Sequence, residues 1–101
     1  MHIVNQTFII DESIVDQWLQ WLKTEYIPES LNSGIYSGYK ILRIFTESSQ
    51  PGLSYALQFN LKPEFTFQYL EEHIFPVQNY DIQILFGEKV LFFRTLLEEI
   101  V

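Results

Sequence analysis

The sequence predicts a single α+β domain over residues 1–101, with the element order β-α-β-β-α-β. Four runs are rich in β-branched and aromatic residues, and two stretches between them repeat apolar residues at the helical spacing. Clusters of Gly, Pro and Ser separate the runs. A chain of 101 residues that is 48% hydrophobic is long enough to build one core.

The first strand and the first helix come from "HIVNQTFII" (2–10) and the segment that follows Asp11. The apolar positions of the helix fall within an arc of roughly 160°: Ile14, Val15, Trp18, Leu19, Trp21, Leu22 and Tyr26. Trp18 lies near the middle of this arc and is expected in the core, whereas Trp21 lies at its rim. Because residues before a proline disfavour helix and Gly34 supplies a stop, only a short helical turn is expected over 27–34.

The next two strands are predicted over 35–45 and 53–61, joined by a turn in "TESSQPG" (46–52). The second of them alternates cleanly, and its apolar face carries Leu53, Tyr55, Leu57, Phe59 and Leu61.

Pro63 and Glu64 suit the first turn of the second helix. Pro76 interrupts this helix and starts a further segment that runs to Gly87. The last run, "VLFFRTLLEEIV" (90–101), is compatible with either a helix or a strand. The preceding glycine and the Val and Phe content favour a strand.

This order is the ferredoxin-like, split β-α-β arrangement. Right-handed crossovers place strands one and three in the middle of a four-stranded antiparallel sheet, with strand two beside three and strand four beside one. Both helices then cover one face. The opposite face is predicted to be too apolar to remain in water, so a homodimer that packs sheet on sheet is expected.

Three blocks of the sequence resemble a small bacterial family, domain of unknown function family 4286: "WLQWLKTEYIPESLNSG", "SYALQF" and "FGEKVLFFRTLLEE". The resemblance spans nearly the whole chain. It implies a ferredoxin-like build of the dimeric α+β barrel type, a group that includes cofactor-free monooxygenases, isomerases and ligand-sensing domains. Family members commonly carry a histidine before Ile-Pro-Glu. This chain has Tyr26 there, so an acid–base role at that position does not carry over. The family brings no established activity with it.

Charge and composition exclude several functions. The formal net charge is −7 and the six Lys and Arg form no patch, so nucleic acids and anionic membranes are repelled. The absence of cysteine removes disulfides and thiolate nucleophiles. No apolar run has the length of a membrane span, and the start lacks the features of a signal peptide. A cytoplasmic protein without metal or other cofactor is predicted.

Candidate site residues are few. His73 falls within the apolar arc of the second helix. A satisfied core histidine, or a helix-end residue near free carbonyls ahead of Pro76, is favoured there over a general base. Glu71 and Glu72 are expected on the polar side, away from His73, and no metal-ligand spacing is present. Arg43 and Arg94 lie on apolar strand faces and need partners. For Arg94, an ion pair with a glutamate such as Glu25 is favoured over an anionic ligand.

Weak ligand-binding candidates besides Arg94 are Trp21, Tyr26 and Tyr55. Ser48 and Ser49 lack the surroundings of a hydrolase nucleophile. The sequence therefore predicts a non-catalytic, dimeric interaction or small-ligand-binding module. The alternative is a cofactor-independent enzyme that acts on a small aromatic or apolar anion, with Arg94 as the anchor and His73 as the base.

Overall fold

The computed structural model describes residues 1–45 and 52–101 as a four-stranded antiparallel sheet with helices packed against one face. The strands are β1 (His2–Ile10), β2 (Tyr36–Ile44), β3 (Leu53–Leu61) and β4 (Val90–Glu98). The α-helices are α1 (Val15–Trp21), α2 (Ile27–Asn32), α3 (Phe67–His73) and α4 (Phe75–Phe86). Short 3-10 turns cover Glu12–Ile14 and Gly87–Lys89, and a π-helical segment covers Leu22–Tyr26.

The strand order is β2-β3-β1-β4, which confirms the predicted ferredoxin-like topology. β1 is central and pairs antiparallel with both β3 and β4. The register places Gln6 between Leu57 on one side and Arg94 on the other. At the end of the β1–β4 pair, the Glu99 N–H donates to the Met1 carbonyl at 2.9 Å.

The short helical turn predicted over 27–34 is α2 (Ile27–Asn32), and it continues from the first helical region without a break. α1, the π-helical segment and α2 follow one another directly from Val15 to Asn32, and this stretch with its 3-10 entry is called the helical arm (12–32). Tyr26 and Ile27 are both buried, and packing against the core outweighs the local preference of a residue before proline. The Ile27 N–H bonds the carbonyl of Leu22, five residues back, and Pro28 then lies in the first turn of α2.

The second helix also begins later than predicted, at Phe67 instead of Pro63. Thr66 is the N-cap, and its hydroxyl accepts a hydrogen bond from the Tyr69 N–H at 3.1 Å. The Thr66 hydroxyl satisfies a free backbone N–H in the first turn of the helix, whereas the Pro63 side chain has no acceptor for such a bond. The helix therefore starts after Thr66. The predicted interruption is confirmed, since α3 ends at His73 and α4 begins at Phe75.

The core lies between the helices and one face of the sheet. Alternate residues of the strands supply one side, among them Val4, Phe8 and Leu57. The helices supply the other side with Trp18, Leu22, Leu70 and Ile82, all fully buried. Trp18 is therefore a core residue, as predicted.

The other face of the sheet carries no helix among the described residues, and its character is mixed. Its centre is polar, where the Gln58 side chain donates to Asn5 Oδ1 at 3.3 Å. Apolar side chains concentrate on β4, where Leu91 is 58% and Phe93 is 56% exposed. The prediction of an apolar second face thus holds for the β4 side but not for the middle of the sheet.

The turn predicted over 46–52 lies outside the described residues except for Gly52. This glycine has φ +106°, and a Cβ there would approach the Ile10 carbonyl oxygen to 2.8 Å. Both facts require glycine at the entry to β3.

Candidate functional site

A cleft of about 550 Å³ opens between the helical arm and the α3–α4 pair. Its volume lies within the ordinary range of small-molecule sites. The lining comes from both sides: Trp21, Glu25, Tyr26, Glu29, Ser30, Ser33 and Tyr36 from the arm and the strand after it, and His73, Ile74, Val77, Gln78, Tyr80, Asp81, Ile84 and Leu85 from the α3–α4 side.

Polar side chains of a buried network also line the cleft. The Tyr26 hydroxyl donates to Gln6 Oε1 at 2.6 Å and lies 3.2 Å from Gln78 Oε1. Gln78 Nε2 donates to Ser30 Oγ at 3.4 Å, and Ser30 in turn donates to the Tyr26 carbonyl at 2.8 Å. These bonds connect β1, the helical arm and α4, so the polar part of the cleft is held in place by three elements.

Arg94 extends the same network from β4. Its Nη2 donates to the Tyr26 hydroxyl at 3.3 Å and to Gln78 Oε1 at 3.2 Å, and its Nη1 donates to Asn79 Oδ1. The guanidinium carbon also lies 4.1 Å from the centroid of the Phe75 ring, a cation–π contact.

Among the described residues Arg94 forms no ion pair, so the predicted pair with Glu25 is wrong. Within residues 1–45 and 52–101, the groups that bond the Arg94 guanidinium are a tyrosine hydroxyl, two amide oxygens and aromatic rings, all of them neutral. Arg94 borders a second, smaller pocket of about 210 Å³ together with Phe67, Glu71, Phe75, Pro76 and Asn79.

Burial controls the ionisation of the two tyrosines near the network. Burial raises the pKa of Tyr26, and the nearby Arg94 cation only partly opposes this. Burial likewise raises the pKa of Tyr36 above its usual value. Both hydroxyls are therefore neutral at physiological pH, and the Tyr26 hydroxyl acts as a hydrogen-bonding group and not as a base.

The α4 side of the cleft is apolar although it faces away from the core. Ile82 on the inner side of α4 is fully buried, while Val77, Tyr80 and Ile84 on the outer side are 63 to 67% exposed. A helix that is apolar on both sides is usually covered on both. The outer side of α4 thus forms an apolar wall available for contact.

His73 is the last residue of α3 and its side chain is 58% exposed. It is therefore a helix-end residue, one of the two predicted positions, and not a core histidine. The Glu72 carboxylate, expected on the other side of the helix, lies 3.7 Å from its imidazole. The Tyr69 ring packs against it with centroids 4.8 Å apart. Because α3 ends at His73, with Ile74 as its C-cap, His73 lies on the rim of the cleft and not beneath the helix.

The structure brings three of the sequence-predicted candidates to this cleft and leaves two outside its lining. Trp21, Tyr26 and His73 line it, and the Trp21 and Tyr26 rings pack with centroids 4.9 Å apart. Tyr55 instead packs against Trp18 at 5.2 Å. Arg94 reaches the network from behind Tyr26 and Gln78.

Sequence reasoning missed Gln78 and Asn79. The helical spacing of Val77, Tyr80, Ile84 and Leu85 is visible in the sequence and predicts the apolar side of this helix. All four residues are exposed, however, and Phe75 and Ile82 are buried in the core instead. In the part of the chain that the structure describes, no three His, Asp or Glu converge as metal ligands. No helix in that part is long and apolar enough to cross a membrane.

Fold and site together define a ferredoxin-like α+β domain with an open cleft on its helical side. The chain belongs to the family described as Domain of unknown function (DUF4286), whose model matches residues 1–100. No curated protein matches the chain.

Proposed function

We propose that this protein is a non-catalytic, dimeric module that binds a small ligand in the cleft between the helical arm and α4. The observation that carries the proposal is the composition of the cleft. Exposed apolar side chains on α4 face an aromatic wall on the arm, next to polar groups already fixed by hydrogen bonds. Ligand sites combine these two features, a largely apolar lining and a few polar groups of fixed orientation.

Binding without catalysis is favoured by the character of the polar groups. Tyr26 is buried and its raised pKa keeps it protonated. His73 is exposed on the rim beside Glu72. A general base works best when it is held against its substrate and shielded from water. His73 is exposed to water and no surrounding group holds it against the cleft.

The alternative function, a cofactor-independent enzyme acting on a small anion, rests on His73 and Tyr26 lining the same cleft. The two functions differ in one measurement. An enzyme would lose turnover of its substrate in His73→Ala while retaining binding, whereas a binding module would show no turnover in either form.

Two further parts of the proposal concern assembly and location. The exposed apolar side chains of β4 support a dimer formed through the open face of the sheet.

A chain without cysteine and with a net charge of −7 suits the reducing, soluble phase of the cytoplasm.

The ligand site is tested by a thermal-shift screen of small amines, carboxylates and neutral aromatics against three forms of the protein. Ile84→Trp adds bulk to a residue that lines the cleft, and Gln83→Trp adds the same bulk to the neighbouring exposed position outside it. A ligand of the cleft should raise the Tm of the wild type and of Gln83→Trp, and should fail with Ile84→Trp. The proposal is overturned if no compound raises the Tm, or if every compound that does so acts equally on Ile84→Trp.

A further inference from the structure

Acidic side chains outnumber basic ones around the cleft. Glu25 and Glu29 lie on the helical arm and Asp81 lies on α4, so carboxylates border the cleft from both walls. All three are exposed acidic side chains. The six Lys and Arg of the chain all fall within the described residues, and none of them lines the cleft.

The two nearest sources of positive charge do not cancel the negative charge of these carboxylates. His73 is the one lining residue that can become cationic, and it lies on the rim beside the Glu72 carboxylate. The Arg94 guanidinium is engaged by Tyr26, Gln78 and Asn79 and packs over Phe75. It borders the smaller pocket and not the cleft.

The walls between these carboxylates are suited to a cation as well. Four aromatic side chains line the cleft. Tyr26 and Tyr36 are buried, whereas Trp21 is partly buried and Tyr80 is 65% exposed, so the rings open to a ligand are those of Trp21 and Tyr80. The faces of such rings attract an ammonium group, and the attraction grows as the cation loses water. An anion would meet three carboxylates without a compensating Lys or Arg in the lining, which disfavours it.

We propose that the ligand of this cleft is an organic cation, an ammonium group carried on an apolar or aromatic body. The apolar body would pack between α4 and Trp21. The ammonium would be attracted by the combined negative charge of Glu25, Glu29 and Asp81, which border the cleft without converging on one point. This inference rests on the proposed function. It reverses the sign of the ligand that Arg94 had suggested from the sequence.

A pair of compounds of nearly equal shape separates the two signs of charge. Phenethylamine and hydrocinnamate carry the same ring on a two-carbon chain and differ in the charge at its end. Titration of each into the protein at low ionic strength, followed by calorimetry, should show the amine binding at least about tenfold more tightly than the carboxylate. Added salt should weaken the amine, because exposed charges are screened.

Two sets of variants test whether the carboxylates of the cleft attract the amine. Replacing the three cleft acids together (Glu25→Gln, Glu29→Gln, Asp81→Asn) should weaken phenethylamine about tenfold. A matched triple variant removes the same charge from exposed acids that do not line the cleft (Glu12→Gln, Asp16→Asn, Glu88→Gln). At physiological ionic strength, where charges more than about 8 Å away are largely screened, this control should change the affinity by less than about twofold.

The outcomes distinguish this inference from the proposed function. If hydrocinnamate binds as tightly as the amine and Ile84→Trp abolishes it, the cleft is a ligand site but the ligand is not a cation. If both triple variants weaken the amine equally, only net charge attracts it and the inference is overturned. If neither these two compounds nor any member of the larger screen binds, the proposed function itself fails.

Discussion

At the scale of single residues, the Tyr26 hydroxyl is the point where four elements meet. It donates to Gln6 on β1 and accepts from Arg94 on β4, and Gln78 of α4 lies within hydrogen-bonding distance. The sequence correctly indicated that Arg94 needs partners, because a cation on an apolar strand face is costly when unpaired. The sequence could not indicate that these partners are neutral side chains, because Tyr26 and Gln78 lie 68 and 16 residues away along the chain.

The two buried tyrosines should make the fold sensitive to alkaline pH. Burial raises the pKa of Tyr26 and of Tyr36, whereas an unfolded tyrosine titrates near pH ~10. Above that pH the unfolded chain loses protons that the folded chain retains. The free energy of unfolding should therefore fall as pH rises, by up to about 1.4 kcal/mol per pH unit for each tyrosine. Urea unfolding followed from neutral pH to about pH 11 measures this slope.

Tyr26→Phe provides the control for that slope. It should remove one tyrosine's share of the alkaline sensitivity, and at neutral pH it should cost about 1–3 kcal/mol because Gln6 loses its buried partner. Tyr39→Phe, at a tyrosine that is 48% exposed, should change stability by no more than about 0.5 kcal/mol. An unchanged alkaline slope in Tyr26→Phe would contradict the assignment.

At the scale of elements, the π-helical segment Leu22–Tyr26 determines what faces the cleft. Residues five apart in an α-helix point about 140° away from each other. Trp21 and Tyr26 are five apart, yet their rings pack with centroids at 4.9 Å, because the widened turn brings them to one side. Tyr26 can then reach both Trp21 and the buried network.

Deleting a residue from the helical arm should have different consequences at two exposed sites. Removal of Thr24 would turn the π-helical turn into an α-turn and leave Trp21 four residues before the buried tyrosine, still on the same side. Removal of Gln17 from α1 would rotate Val15 by about 100° relative to Trp18 and take it from the core. The Gln17 deletion should therefore cost at least about 2 kcal/mol more in urea unfolding. Equal losses for the two deletions would contradict the role given to the π-helical turn.

The same elements show how far the sequence could be interpreted. β3 was predicted at the observed bounds, because its apolar residues alternate without interruption. The start of α3 was not, because the capping hydroxyl of Thr66 competes with a proline three residues earlier and only the folded chain shows which one caps the helix. The cleft lies between two helical segments that pack side by side on one face of the sheet, and the periodicity of a sequence contains no information on such a contact.

At the scale of the whole molecule, the fold leaves two apolar surfaces on opposite sides. One is the outer side of α4, with Tyr80 at 65% exposure, and the other is the β4 side of the open sheet face. The polar centre of that face, with Asn5 and Gln58, would place hydrogen-bonding groups within an interface whose apolar contacts lie toward β4.

The proposed dimer predicts a particle of twice the 12.1 kDa chain mass at micromolar concentration, measured by light scattering after gel filtration. Phe93→Lys should shift the protein to monomers, because it places a charge in the apolar part of the open sheet face. Tyr80→Lys makes a comparable change to an exposed aromatic residue on the helical side and should leave the dimer intact. A wild-type mass of one chain, or equal dissociation by both variants, contradicts the sheet-to-sheet dimer.

The bond between the Glu99 N–H and the Met1 carbonyl has a practical consequence for handling the protein. Because residues 1 and 99 are neighbours, a short added linker could join the two ends of the chain into a covalent ring without distorting β1 or β4. Ring closure would restrict the unfolded chain far more than the folded one. Labels attached at either end would emerge beside each other on the β1–β4 side of the sheet, which suits surface immobilisation in a fixed orientation.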